Sequence, residues 1–425
     1  MLNEESIQRV DGARFSTKFR KPLYTDYAFA SLPSTVSRLL TGQGNNPINP
    51  KALGGSCEQY DLVIFFLIDG FGWQFFERYA PKYPFLQRFI EQGVVSKISS
   101  QFPSTTAAHV TTLNTGLEVG QTGIYEWFYY EPLVQAMIAP LLFSFAGDHV
   151  PGTLSEKGIK PETLFPFHTI YEQLAQASVE SHLFQPESIA HSPYSSKFCT
   201  GAKLHPYSNI PDAMQQILRV AKAPAKQPQY LIFYLGDIDA IGHRHGIGSK
   251  EFETAVERCW NSLEELFWKQ LPKLKRKSAL MITADHGMAP VDPKTTVYLN
   301  QLIPEITTYF KTNPQGRPLV PAGSCRDFFL HVHEEKSAQL QGLLSEKLKG
   351  IAEVYPTEEL VAQGFFGSHP ASARLKERLG NLLILPYYGE SVWWWEKHRF
   401  EQHFFAAHGG LTPEELNSVL LFLDL

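Results

Sequence analysis

The chain reads as an α/β protein, with a doubly wound, mostly parallel central sheet flanked by helices and a small α+β cap inserted toward its C-terminal end. Two observations predict this. Continuous apolar runs of strand length, DLVIFFLI at 61–68, YLIFYL at 230–235 and ALMIT at 279–283, alternate with helical stretches at 73–93, 210–221 and 250–271. Each of these runs is followed within a few residues by aspartate, at the strand ends where open α/β sheets bind ligands.

Taken in order, residues 1–55 read as an irregular wrap broken by Pro33, Pro47, Pro50 and the GQGNNP stretch at 42–47. The run at 61–68 is a buried strand that delivers Asp69 into a loop. A helix over 73–93 and a strand over 94–100 lead to FPSTTAAHVTTLNTG at 102–116, a turn running into a small-residue helix that ends near Asn114. The aromatic, Pro-rich region 125–205 reads as an excursion over the active face, with a helical piece at 169–177 and a Ser-rich loop at 192–196. Regular alternation returns over 210–283. The pattern then changes: a strand at 327–333, a charged amphipathic helix at 335–348 and a strand at 381–385 predict an inserted cap over 299–401. Residues 56–298 and 402–425 form the core, closed by a last helix or strand at 414–423.

The totals narrow the function classes. With 425 residues, 19% of them charged, and a net charge of −5, the chain has no general attraction for a nucleic acid duplex or an anionic membrane. A small anionic substrate is compatible with that balance, because a local metal charge outweighs a modest global one. The N-terminus lacks the apolar segment of a secretory signal, and no apolar run is long enough to span a bilayer, so a cytoplasmic protein is expected. Cys57, Cys199, Cys259 and Cys325 lack CxxC spacing and are expected to be reduced thiols. Oligomeric state is not encoded in any of these features.

Five clusters carry chemistry. A hydroxyl at 104–106 would stand at a helix N-terminus, where free N–H groups favour an oxyanion or phosphate. Asp69 follows the first strand; Asp239 and His243, four apart, share one face of a helical turn; Asp285 and His286 bond together only from a loop, which Gly287 permits; His408 precedes Gly409 and Gly410. Together these supply three aspartates and three histidines, a donor set suited to Zn²⁺ or Mn²⁺ and too rich in imidazole for Mg²⁺ or Ca²⁺. Six such ligands suffice for two four-coordinate ions if a threonine oxygen and substrate or water complete them.

The motifs IDGFGW at 68–73, FPSTTAAHVTTLNTG at 102–116, DIDAIGH at 237–243, ADHGM at 284–288 and HGG at 408–410 resemble the nucleotide pyrophosphatase/phosphodiesterase branch of the alkaline phosphatase superfamily. The resemblance spans roughly residues 60 to 425 and implies an alkaline-phosphatase-like fold with a site for two divalent ions, usually zinc. It assigns Asp239, His243 and His408 to one metal, and Asp69, Asp285, His286 and the nucleophile to the other. The nucleophile maps onto Thr106, with Thr105 as the alternative. The chain departs from the branch where an asparagine that holds the phosphoryl oxygen is expected: Trp127 stands there, and YEWFYYE contains no asparagine.

The leading expectation is a metal-dependent hydrolase that splits phosphodiesters or nucleotide pyrophosphates through a covalent phosphothreonine. Tyr125 and Trp127 are expected to line the mouth and stack on a flat leaving group. The alternatives are a phosphomonoesterase, a cofactor-independent phosphosugar mutase on the same core, or a binding protein that keeps the fold.

Overall fold

The computed structural model describes residues 1–44, 48–55, 58–148 and 150–425; Pro47 and Cys57 lie outside the described residues. Seven strands form the central sheet: β1 Leu62–Ile68, β2 Val94–Ser99, β3 Glu180–Pro186, β4 Ala202–Tyr207, β5 Gln229–Leu235, β6 Ser278–Thr283 and β7 Asn417–Asp424. Their spatial order is β2-β7-β6-β1-β5-β3-β4. All run parallel except β7, which is antiparallel to both β2 and β6. β1 is buried along its whole length, as a strand covered on both faces must be, which explains its unbroken apolar sequence.

Two strands emerge from the region read as an excursion. β3 and β4 extend the sheet to its far edge, where β4 is the edge strand and needs less apolar cover; the mixed sequences of both, ESHLFQP and AKLHPY, lack the unbroken apolar run that marks β1. The Ser-rich stretch at 192–196 belongs to a helix, Pro193–Phe198, capped by the Ser192 side chain. The single helix expected over 73–93 is two, Trp73–Tyr79 and Pro84–Gln92, because Pro81 and Pro84 interrupt the backbone ladder.

The N-terminal segment is more regular than its composition suggests. It contains helices Glu4–Gly12 and Leu32–Thr41. Pro33 starts the second rather than breaking it, since a first-turn proline forfeits no helical hydrogen bond.

Within 299–401, strands Ala322–Ser324, Asp327–Leu330, Leu382–Pro386 and Ala352–Pro356 form a four-stranded antiparallel sheet, in that spatial order, with helix Ser337–Lys347 packed beside it. A three-stranded sheet at 129–145 meets it through a bridge between Phe128 and Gly323. The buried Arg326–Glu415 ion pair ties the four-stranded sheet to the segment that leads into β7. Among the described residues, no helix is long and apolar enough to cross a membrane.

Candidate metal centre and nucleophile

The parallel strands β2, β6, β1 and β5 end at one edge of the sheet, so the loops that follow them meet there. Asp69 follows β1 directly, and its N–H donates to Leu235 O at 2.9 Å. Gly70 N–H donates to Asp285 Oδ1 at 3.1 Å, and Tyr234 OH donates to Asp69 Oδ2 at 2.6 Å. Asp239 and His243 lie on helix Asp237–His245 just after β5. Thr105 is the N-cap of helix Thr106–Thr115, and Thr106 is its first residue.

His408 reaches this edge by a thread between distant segments. Ser104 N–H donates to Gly409 O at 3.1 Å, Ser104 Oγ donates to Gly410 O at 2.8 Å, and Gly409 N–H donates to Ser104 Oγ at 3.2 Å. Gly287 serves a different purpose from the turn expected of it. Its φ is not positive, but a Cβ there would come within 2.0 Å of Glu414 O, so the residue is glycine for close backbone approach.

The six expected ligands gather in two groups: Asp239, His243 and His408, and Asp69, Asp285 and His286, with ligand atoms in each group within 4.8 Å of one another. Thr106 Oγ1 sits beside the second, 3.2 Å from His286 Nε2 and 3.4 Å from both carboxylate oxygens of Asp69. Each imidazole is held through Nδ1 by a main-chain carbonyl: His243 by Ala406 at 2.7 Å, His408 by Ser104 at 2.9 Å and His286 by Gly287 at 3.0 Å. Those bonds assign the proton to Nδ1 and leave Nε2 as a lone pair.

The lone pairs converge on one another. His243 Nε2 and His408 Nε2 are 3.1 Å apart, with Asp239 Oδ1 at 3.4 and 3.5 Å from them. His286 Nε2 lies 3.4 Å from both Asp69 Oδ1 and Asp285 Oδ2. Asp239 Oδ1 and Asp285 Oδ2 are buried and receive no hydrogen bond. Such crowding of acceptors without donors is what a cation would relieve, so the residues present fit divalent ions. Burial, with repulsion from Asp285 and Asp239, raises the Asp69 carboxyl well above the usual range, and burial raises Asp285 too. Burial lowers His286 well below the ordinary imidazole value and takes His408 down to about 4.

A cavity of about 570 Å³ opens over Thr106, Asp239, His243 and His408, and its far walls are aromatic: Trp127, Phe128, Trp393, Phe400 and Phe404. Residues 63–410 match the type I phosphodiesterase / nucleotide pyrophosphatase family. The chain belongs to that family. An uncharacterized pyrophosphatase/phosphodiesterase of Schizosaccharomyces pombe is 22% identical over 249 residues, covering 56% of this chain and 47% of the relative. The chain thus spans about half the length of that curated relative. Among solved structures, human ectonucleotide pyrophosphatase/phosphodiesterase 5 superposes with a TM-score of 0.61 at 18% identity, covering 86% of this chain and 88% of that one. The mouse protein gives 0.60 at 16% identity, covering 85% and 87%. Phosphonoacetate hydrolase of Sinorhizobium meliloti gives 0.57 at 16% identity, covering 84% and 89%. These likenesses establish the alkaline-phosphatase-like fold of this family member.

Of the two aromatic residues expected at the mouth, only Trp127 is there. Tyr125 is fully buried, stacked on Tyr129 at 5.4 Å between ring centroids and donating its hydroxyl to Arg378 O at 3.2 Å. The chain turns its side chain into the core beneath the cap, so it cannot touch a substrate. Of the three consecutive tryptophans at 393–395, Trp393 lines the cavity while Trp394 packs near Phe310 and Trp395 is exposed. His109, three residues past Thr106, bonds locally: it accepts from Gln101 N–H at Nε2 and holds Thr105 O through Nδ1.

Several residues of the site escape the motifs. Tyr234 lies within an apolar strand, and a lone polar tip in such a run is its only signal. Glu126 lines the cavity and Asp327 faces it from the cap sheet, a contact between residues far apart in the chain that no local pattern announces.

Proposed function

We propose that the chain is a metal-dependent phosphodiesterase or nucleotide pyrophosphatase with Thr106 as its nucleophile and two divalent ions, Zn²⁺ or Mn²⁺, held by Asp239, His243 and His408 and by Asp69, Asp285 and His286. The observation that carries this reading is the position of Thr106 Oγ1 at a helix N-terminus, 3.2 Å from His286 Nε2 and beside one of two donor-poor ligand groups. Ions bound there would supply Lewis-acid stabilisation of the attacking and leaving oxygens of an in-line displacement.

The chain's own groups do the rest. The free N–H groups at the start of helix Thr106–Thr115 face the phosphoryl oxygens and favour their charge. Tyr234 holds Asp69 in place, and Asp69 sets the orientation of the threonine hydroxyl. Thr106 Oγ1 loses its proton and bonds to phosphorus as the P–O bond to the leaving group breaks. Water then hydrolyses the phosphothreonine and restores the hydroxyl. Trp127, Phe128 and Trp393 offer flat apolar faces to a leaving group such as a nucleoside. That suits a nucleotide substrate, and a structure of the mouse relative contains AMP.

The test is to strip the protein with chelator, restore Zn²⁺ or Mn²⁺ separately, and compare a nitrophenyl phosphodiester with the matching monoester. Diester hydrolysis that returns with metal and is absent in Thr106→Ala, which still takes up two ions, is the expected result. Full activity in Thr106→Ala overturns the nucleophile, and preference for the monoester makes the protein a phosphatase.

A further inference from the structure

The cavity has a direction. Of the two ligand groups, the one that stands on its wall is Asp239, His243 and His408, whereas Thr106 reaches it from beside the buried Asp69 and His286. An in-line displacement expels the leaving group on the side opposite the nucleophile. Attack by Thr106 Oγ1 therefore sends it away from Asp69, past His243 and His408, into the open cavity.

Arg244 stands on that path. It is the residue after His243, in the last turn of helix Asp237–His245, and it lines the same cavity. It is exposed, and among the described residues its guanidinium makes no hydrogen bond and no ion pair. The other charged side chains of the wall are engaged. Arg399 donates through Nη1 to Glu396 Oε1 at 2.6 Å and through Nη2 to Ala146 O at 3.0 Å. Glu401 accepts the His398 N–H at 2.9 Å and faces the rings of His398 and His403, each at 3.9 Å. Glu126 is 1% exposed, with one carboxylate oxygen taken by the Trp127 N–H and the other buried. Asp239 belongs to a ligand group, where a cation neutralises it. Among the described residues, Arg244 is thus the permanent positive charge of the wall whose donors are unspent. A guanidinium in a last helical turn suits the dipole there from any exposed position, but a place on the cavity wall also sets its planar fork beside the departing group.

We propose that Arg244 binds a second phosphate on the leaving group, so that the preferred substrate is a phosphoanhydride whose leaving group is a nucleoside monophosphate, rather than a diester with an uncharged leaving group. This rests on the reading of Thr106 as the nucleophile and names the substrate class within it. Thr106 Oγ1 bonds to one phosphorus as the bond from that phosphorus to the bridging oxygen breaks. The electron pair stays on the bridging oxygen, and the Thr106 proton passes to solvent. The departing nucleoside monophosphate thereby goes from one negative charge to two beside Arg244. The guanidinium gains attraction as the bond breaks, so it lowers the barrier as well as aiding binding. Water then releases the other nucleotide from Thr106, and the sum is one pyrophosphate and one water giving two nucleotides. The base of the departing nucleotide meets the walls of Trp127, Phe128 and Trp393, and about 570 Å³ is room for a ligand of that size.

The test uses the full-length, metal-loaded protein and two substrates with the same scissile phosphoryl group. One is the nitrophenyl ester of a nucleoside 5′-monophosphate; the other is the symmetrical pyrophosphate of that nucleotide. The quantity measured is the ratio of kcat/KM for the pyrophosphate over that for the ester, with melting temperature and metal stoichiometry followed in each variant. Arg244→Ala is expected to lower the ratio about 10-fold or more, and Arg244→Lys, which keeps the charge without the fork, about 3-fold. Raising the ionic strength from about 0.05 to about 0.5 M is expected to lower the wild-type ratio about 3-fold and to leave that of Arg244→Ala in place. A ratio in Arg244→Ala within about twofold of wild type overturns the proposal. So does a wild-type ratio indifferent to salt, a result that needs no variant to fold. Failure of the underlying reading looks different: Thr106→Ala would then hydrolyse both substrates, whereas failure of this proposal leaves Thr106→Ala inactive and the ratio unmoved.

Discussion

His243 Nε2 and His408 Nε2 face each other at 3.1 Å, although each ring has already given its Nδ1 proton to a main-chain carbonyl. Two lone pairs at that distance repel, and the same holds for His286 against Asp69 and Asp285. Metal-free protein therefore stores electrostatic strain that bound ions release. Chelation is expected to lower the melting temperature, and added Zn²⁺ to raise it progressively with free metal, by about 2.7 kcal/mol of stability at a hundredfold excess over Kd. Thermal unfolding across a zinc titration checks this; a melting temperature indifferent to chelator and zinc would contradict it.

Tyr234 holds Asp69 by a 2.6 Å hydrogen bond, and Tyr234 is not among the residues that line the cavity. Tyr234→Phe is expected to leave the fold intact and to weaken metal binding at the proposed Asp69, Asp285 and His286 site by about 10- to 100-fold. Competition with a chromogenic chelator resolves the two affinities. Loss of neither would mean that Asp69 needs no such support.

Trp127 and Tyr125 separate binding from packing. Trp127→Ala is expected to raise KM for a substrate with an aromatic leaving group by about 2- to 12-fold, the worth of one aromatic contact, with little change in melting temperature. Tyr125→Phe leaves the Arg378 carbonyl without its donor and should lower stability by about 1 kcal/mol while KM stays the same. Steady-state kinetics beside thermal melts tells the two apart.

His331 is buried in the cap sheet region against Tyr130, and burial, with the charge of Lys311, lowers its imidazole to about 3. Its folded value lies below the unfolded one of about 6.5, so the native state refuses a proton that the unfolded chain accepts. Stability from this group is complete above about pH 6.5 and falls as the pH drops toward 3, by about 1.4 kcal/mol per pH unit. Urea unfolding over that range should show a slope reduced by one proton in His331→Leu. An unchanged slope would place the histidine's ionisation elsewhere.

The legible parts of the site are those whose chemistry is local. Asp69 and the Asp285-His286 pair follow apolar runs that could only be buried strands, and Asp239 and His243 are spaced for one helix face. Strand β4 was hidden because edge position lets polar residues enter a strand, β3 because Glu180, Ser181, His182 and Gln185 interrupt its apolar pattern although it is paired on both sides, and the two helices of the N-terminal segment because Pro33 reads as a breaker unless its place in the first turn is known.

By itself the sequence determined the fold class, the family and which side chains carry metal-binding chemistry, since periodicity, strand-end carboxylates and residue type are properties of short stretches. Only the tertiary structure decided that Tyr125 turns inward while Trp127 faces the cavity, that Ser104 threads onto Gly409 and Gly410 to bring His408 to the site, and that Glu126 meets Asp327. Each of these depends on the path of segments distant in the chain, and the energy of burying a charge or a ring is set by whatever that path places beside it.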